Sequence, residues 1–364
     1  MTLTEAQTPV PNAPEEPKTG QLASQGTLQR NVRLAILAVS AVIGAGIIFA
    51  FFGFSILPMV LVSALIYCVA IYTVSRIVEG SRHASDRLVT GVVTTFFLLA
   101  LIPLVSIIVD VVSKGTRRLD AEFFTTSMRG VVSEGGGIAH ALQGTLMITA
   151  VTTLIAVPIG ILAAIYLVEY GQKNRLSRAL TFFVDVMTGI PSIVAGLFAY
   201  ALFTLIVGPG YKAGIVGVVA LTLLMIPVVV RSTEEMLRLV PNELREASYA
   251  LGVPKWLTIV KVVLPTAIAG IATGVTLAIA RIIGETAPLL VTAGFTTNLN
   301  PNLFQGNMST LPVEAYYALT QPGLSPEPSY DRAWSAILVL IVLVMALNII
   351  ARLISKFFAP KTGR

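Results

Sequence analysis

Few residues in this sequence can do chemistry, and those few lie where charge is costly. Near the end of a long apolar run the chain reads Ala280-Arg281-Ile-Ile-Gly284-Glu285-Thr286-Ala-Pro288-Leu-Leu290. Arg281 and Glu285 are four apart, so on a continuous helix they share a face and can pair. Ionisable side chains so close to an apolar core usually face a bundle interior or a wet pathway. Three readings stand: a salt bridge pinning two helices, charges along a solute route, or a Glu285 already at the outer interface. A second pair, Arg231-Ser-Thr-Glu234, ends another apolar run at a spacing of three, again on one side of a helix. Taken alone, it reads as an interfacial anchor with a solvated carboxylate.

Covalent chemistry finds no support. Cys68 is the single cysteine, and His83 and His140 are the only histidines, far apart in the chain. No metal-ligand cluster and no nucleophile–base–orienter set can be assembled from them. The phosphate-cradling pattern G-x-x-x-x-G-K-[ST] is missing as well, so any ATP dependence requires a separate ATPase.

A third stretch is built for shape. It reads Pro241-Asn-Glu-Leu-Arg-Glu-Ala-Ser-Tyr-Ala-Leu-Gly252-Val-Pro254-Lys-Trp256 and continues to Val262-Val-Leu264-Pro265. Pro241 suits a helix start, and Leu244, Ala247 and Leu251 fall on one face. Gly252 can take the left-handed conformation that closes a helix, and Pro254 suits the first turn of the next. The expected shape is a helical elbow able to fill a groove on another protein; the alternative is an amphipathic interfacial helix without a partner. Two apolar features complete the set. Gly189-Ile-Pro191 predicts either a packing kink or a broken helix that offers backbone N–H groups to an anion. Gly270-x3-Gly274 predicts a close helix–helix contact.

The elements that must position these residues are membrane-spanning helices. Of 364 residues 55% are hydrophobic and 12% charged, about half the charge of a soluble domain. Eight uncharged runs of 18 or more residues follow one another: Leu34–Phe54, Ile56–Ser75, Leu88–Val109, Ala141–Val168, Val186–Tyr211, Ala213–Val230, Val262–Ala280 and Ala333–Ala351. Each is long enough to cross about 30 Å of hydrocarbon as a helix. The fold class expected is therefore all-α integral membrane, with about eight transmembrane helices. The net charge of +6 is spread among short loops, which argues against nucleic acid. With the N-terminus inside, 18 of the 25 Lys and Arg fall on the inner side, as the positive-inside rule requires. Lys114, Arg117 and Arg118 dissent. Both termini are then cytoplasmic.

Residues 1–29 read as a disordered cytoplasmic tail, and 30–80 as an added transmembrane hairpin of generic sequence. A first distinctive span with its outer loop follows at 88–135, and the main transmembrane domain at 136–355, with the elbow loop at 231–265. The outer segments Asp110–His140 and Phe295–Arg332 are the longest. They are either connectors or a surface that meets an extracytoplasmic partner.

The elbow resembles the EAA loop of ABC importer permeases. Glu246, Ala247, Gly252, Leu264 and Pro265 match that pattern in register, with Ser248 for Ala and Val262 for Ile as mild departures. The string Gly284-Glu-Thr-Ala-Pro-Leu-Leu290 is similar to the Pst-type phosphate permeases, specifically their PstA-type subunits. Gly189-Ile-Pro191-Ser192-Ile-Val-Ala-Gly196-Leu-Phe198 and Leu311-Pro312-Val-Glu-Ala-Tyr316 agree, and the likeness covers roughly residues 88–355. The resemblance implies a type I ABC importer permease (MetI-like) core, preceded by a hairpin that exceeds the family's usual six spans. It implies import of inorganic phosphate across a bacterial plasma membrane, with no cofactor on this chain and ATP and Mg on a partner. The implied partners are an unlike PstC-type permease, PstB-type P-loop ATPases and a PstS-type extracytoplasmic phosphate-binding protein. It also implies that the EAA-like loop is the coupling helix, and that Arg231, Glu234 and Arg281 serve phosphate translocation. Glu285 is grouped with them as a pathway residue by its place beside Arg281. A guanidinium, a good bidentate partner for phosphate, agrees in sign.

Overall fold

An apolar run can satisfy its own backbone in lipid only as a helix, and helices are what forms. In the computed structural model the described residues are 28–171, 174–323 and 326–358. Among them there is no strand, so the all-α membrane architecture holds. Most of the predicted tail, residues 1–27, lies outside the described residues.

The helices are α1 (Arg30–Phe52), α2 (Ile56–Val78), α3 (Ser81–Gly115), α4 (Ala121–Thr125), α5 (Ala139–Ile165), α6 (Arg175–Gly189) and α7 (Ser192–Ile206). They continue as α8 (Gly214–Arg238), α9 (Asn242–Ala250), α10 (Lys255–Thr258), α11 (Leu264–Ile283), α12 (Ala287–Thr292), α13 (Leu311–Thr320) and α14 (Pro326–Phe358). Seven are long and apolar enough to cross a membrane, counting α10 and α11 as one, and the bent pair α6–α7 makes an eighth if it is one span. Outward-facing side chains are large and apolar, as with Phe51 and Leu154, 79% and 74% exposed. That composition suits a lipid-facing surface.

The fifth predicted span is corrected. Val186–Tyr211 is not one rod: α6 and α7 meet at 111°. Pro191 caps α7, and Ile190 ahead of it is extended at φ −73° and ψ 127°, the region to which a residue before proline is pushed. The feature is a break rather than a kink. The second long outer segment is also more than a connector, because it holds α13, whose residues Leu311 to Ala315 are buried.

The chain divides after Ile107 into two compact units. In the first, α1 and α2 pack along their length with Gly44 against Ser63. Beyond α2, Glu79 accepts hydrogen bonds from the Ser75 hydroxyl at 2.7 Å and the Leu28 amide at 2.6 Å. These bonds, with Arg87 at 3.5 Å, hold the Glu79 carboxyl down at about 2. In the second unit α8 is central, packed by α5, α7, α11 and α12. α11 approaches it through small residues: a Cβ on Gly274 would stand 2.5 Å from Ser232 Oγ, and one on Gly270 would overlap Met236. The Gly-x3-Gly contact is thus realised between α11 and α8.

Candidate functional site

The elbow forms as a hinge closed at both ends by backbone chemistry. Past α9, Gly252 sits at φ +76°, its N–H bonds Tyr249 O at 2.9 Å, and the Val253 N–H bonds Ser248 O at 3.2 Å. This pair of bonds is a Schellman closure, which needs a residue without a Cβ penalty at Gly252. α10 then starts at Pro254 and widens into a π turn at Ile259–Val263. The widening falls where Pro265 has no N–H to donate to the carbonyl four residues back. Ser248 points inward, its hydroxyl 2.8 Å from Thr258 Oγ1, so this departure from alanine ties the two short helices together. Glu246, Ala247, Leu251 and Gly252 are exposed, while Leu264 packs into an apolar cluster and Pro265 is exposed.

The elbow is held to the bundle by a residue that sequence reasoning missed. Glu169, buried in the π turn that ends α5, accepts from Arg245 Nε at 3.1 Å and Nη2 at 2.8 Å. Arg245 also donates to Leu237 O at 2.9 Å and Val240 O at 2.7 Å, and Lys255 donates to the Glu169 carbonyl. The signal was available: Glu169 is the carboxylate abutting the apolar run Ala141–Val168, a poor place for a charge without a partner.

Arg231 and Glu234 do pair, at 2.8 Å. Arg231 also donates to Asp185 on α6, and Glu234, which is buried, accepts from Arg238. The cluster latches α6, the arm ahead of the break, to α8. Gly189 itself is exposed, with open space where a Cβ would be.

Arg281 and Glu285 do not pair, contrary to the helical expectation. α11 ends at Ile283, and α12 starts at Ala287 with Pro288 in its first turn. Proline cannot bond the carbonyl four residues earlier, that of Gly284, and its ring would crowd it. Glu285 therefore leaves the helix face that Arg281 occupies. Arg281 is exposed and Glu285 half-buried, and neither side chain has a hydrogen-bond or ion-pair partner among the described residues. Gly274 meets Ser232 on α8, so Arg281, seven residues further, lies about 10 Å along the bundle from the Arg231 level. The four predicted pathway residues form one paired cluster and two single charges.

The three distant strings that carried the resemblance converge. Ala195, Leu289 and Val313, one from each string, share a single buried cluster with Ile148 and Leu221. A Cβ on Gly196 would lie 2.7 Å from Pro288 Cα, so α7 and α12 touch backbone to backbone. Beside them a cavity of about 420 Å³ is lined by Gly284, Thr286, Leu290, Pro312, Tyr316 and Leu340. At the same end of the unit His140 Nε2 and Glu314 Oε2 are 3.0 Å apart and buried, a pairing hidden by a separation of 174 positions in the chain. Arg332 there donates to Ser133 O at 2.8 Å. No group of three or more His, Cys, Asp or Glu able to hold a metal occurs among the described residues.

Known proteins resemble this chain in sequence and in fold. The family described as "Binding-protein-dependent transport system inner membrane component" matches residues 156–364. The phosphate transport system permease protein PstA 1 of Mycobacterium tuberculosis (strain ATCC 25618 / H37Rv) is 48% identical over 285 residues, covering 76% of this chain and 91% of the relative. The phosphate transport system permease protein PstA of Yersinia pestis is 38% identical over 284 residues, covering 78% and 93%. Among solved structures, a bacterial alginate ABC transporter bound to an alginate-loaded periplasmic protein gives a TM-score of 0.55 at 15% identity, covering 77% of this chain and 97% of that one. This last likeness concerns the fold. With the type I ABC importer permease fold in its core and relatives at these identities, the chain belongs to the PstA-type permeases of the binding-protein-dependent transport system inner membrane components.

Proposed function

We propose that the chain is the permease subunit of an ABC importer that carries inorganic phosphate into the cell, powered by ATP hydrolysis on separate subunits. The observation that carries this reading is the elbow: a rigid hinge with Glu246, Ala247 and Leu251 uncovered, in a chain without a nucleotide-cradling loop. The names of relatives at 38–49% identity support phosphate as the solute. ATP and Mg belong on PstB-type ATPases that receive α9 and α10. A PstC-type permease completes the pathway, and a PstS-type binding protein delivers phosphate at the opposite face. The chain sits in the bacterial plasma membrane with both termini cytoplasmic, a placement supported by the 18 inner basic residues of 25. Arg281, with no partner among the described residues, is the anion-contacting residue of the pathway, and Glu285 lies beside it. Arg231 and Glu234 form a latch on the route that opens when α6 swings with the elbow.

The test is reconstitution of the co-expressed complex in proteoliposomes. ATP-dependent phosphate uptake is expected, and a Glu246→Lys chain should fail to retain the ATPase. Uptake by this chain alone without nucleotide would make it an ion-coupled secondary carrier instead. Selective uptake of phosphonate or molybdate would keep the ABC assignment and replace the solute.

A further inference from the structure

The first unit contains a feature that import through the second does not use. Between α1, α2 and α3 lies a slot of about 440 Å³. One stripe from each helix lines it: Arg33, Leu37 and Ala41 on α1; Met59, Ser63 and Ala64 on α2; and Arg87, Gly91 and Leu98 on α3. The antiparallel course of α1 and α2, and the entry of α3 from the end where α2 finishes, order these side chains by depth. Arg33 and Arg87 stand at the mouth, while Ala41, Met59 and Leu98 lie deep. From Arg87 to Leu98 the slot runs about 16 Å along α3.

One of the two arginines is unpartnered among the described residues and the other is engaged through one nitrogen only. The Arg33 side chain has no hydrogen-bond or ion-pair partner among the described residues, although its Nε is buried. Arg87 is met by Glu79 at 3.5 Å through its Nε. A buried guanidinium N–H without an acceptor is unfavourable unless something else supplies one. A ligand that suits this lining is anionic at the arginine end and apolar along the rest. A slot about 16 Å long, walled by one stripe from each of three helices, is shaped for an extended chain. A single acyl chain fits, with a phosphate at the mouth between two guanidinium groups, the arrangement by which basic pockets between membrane helices hold lipid headgroups.

We propose that the slot between α1, α2 and α3 binds one anionic phospholipid, its phosphodiester held by Arg33 and Arg87 and one acyl chain lying between the helices. The site gives the N-terminal hairpin a role separate from the transport pathway: it makes that part of the permease responsive to the anionic lipid content of the membrane.

The experiment is native mass spectrometry of the full chain, purified in its complex and exchanged into nanodiscs containing phosphatidylglycerol or only phosphatidylcholine. One phosphatidylglycerol should be retained per chain and no phosphatidylcholine. Arg33→Gln removes no protein contact, so folding should be preserved while retention falls about fivefold, the effect of one guanidinium near a membrane surface. Ala64→Phe fills the slot with both arginines intact and should abolish retention, with the thermal midpoint in detergent confirming that the chain is folded. Equal retention of both lipids, unchanged retention in the folded Arg33→Gln chain, or displacement of the lipid by millimolar inorganic phosphate would each overturn the proposal.

Discussion

Arg231 and Arg281 occupy similar places in the sequence, each near the end of an apolar helix with a glutamate one turn on, yet their surroundings differ in kind. Around Arg231 the helix continues to Arg238, so the spacing of three becomes a 2.8 Å ion pair, which Asp185 and Arg238 extend into a cluster. Around Arg281 the helix stops two residues short of Glu285, and both charges are single among the described residues. A helical spacing rule holds only as far as the helix does, and Pro288 decides where this one ends. The proposed roles of the two arginines rest on this difference. A cation already satisfied by carboxylates holds structure, whereas one with no partner is free to meet a passing anion.

The comparison is tested most severely at a third charge of the satisfied kind. Removing a partner from a buried pair strands the other charge, at about 3–5 kcal/mol. Glu169→Ala leaves Arg245 in that position, so the thermal midpoint should fall steeply, and ATPase retention should fall with it because the elbow loses its anchor. A variant with an unchanged midpoint would remove the distinction between satisfied and single charges. Arg281→Gln should do the reverse. Phosphate uptake should drop on the order of a hundredfold, from the loss of hydrogen bonds to a charged solute. Stability should stay within about 0.5 kcal/mol, as for a surface substitution without partners. If expression and midpoint fall instead, Arg281 is structural and the comparison collapses. Glu234→Gln is intermediate, because the amide keeps one acceptor while Arg231 keeps Asp185. A destabilisation of about 1–2 kcal/mol is expected, read as a lower midpoint, with earlier proteolysis between α6 and α7 as the latch loosens.

Much of this was legible in the sequence, and the limits have physical causes. Seven runs became spans because apolar length is a local property, and the elbow formed because Gly252, Pro254 and Pro265 act on their own neighbours. Val186–Tyr211 misled because hydropathy counts length and ignores direction, so a run that turns through 111° reads like one that does not. Glu169 with Arg245 and His140 with Glu314 were hidden for a different reason. Their partners are 76 and 174 residues away, and only folding brings them together. The three resemblance strings could be found one by one, but their shared core of Ala195, Leu289 and Val313 is a property of packing alone.

The smallest effect probes the helix end that separates the two arginines. Gly284 caps α11 at φ −91° and ψ 0°, a conformation open to any L-residue. A Cβ there would find its nearest neighbour, Arg281 O, 4.0 Å away. Gly284→Ala should therefore stabilise the protein by about 0.5 kcal/mol through the unfolded chain. Uptake should be unchanged, because Pro288 still ends the helix and Glu285 stays away from Arg281. Gly274→Ala provides the contrast: its Cβ would press on Ser232 at 2.5 Å, an overpacking that costs about 1–3 kcal/mol. Loss of uptake in the stabilised Gly284→Ala chain would mean that the glycine, and not the proline, keeps Glu285 from Arg281. An added Glu285→Gln change would decide the matter, restoring uptake only if a newly formed pair had silenced Arg281.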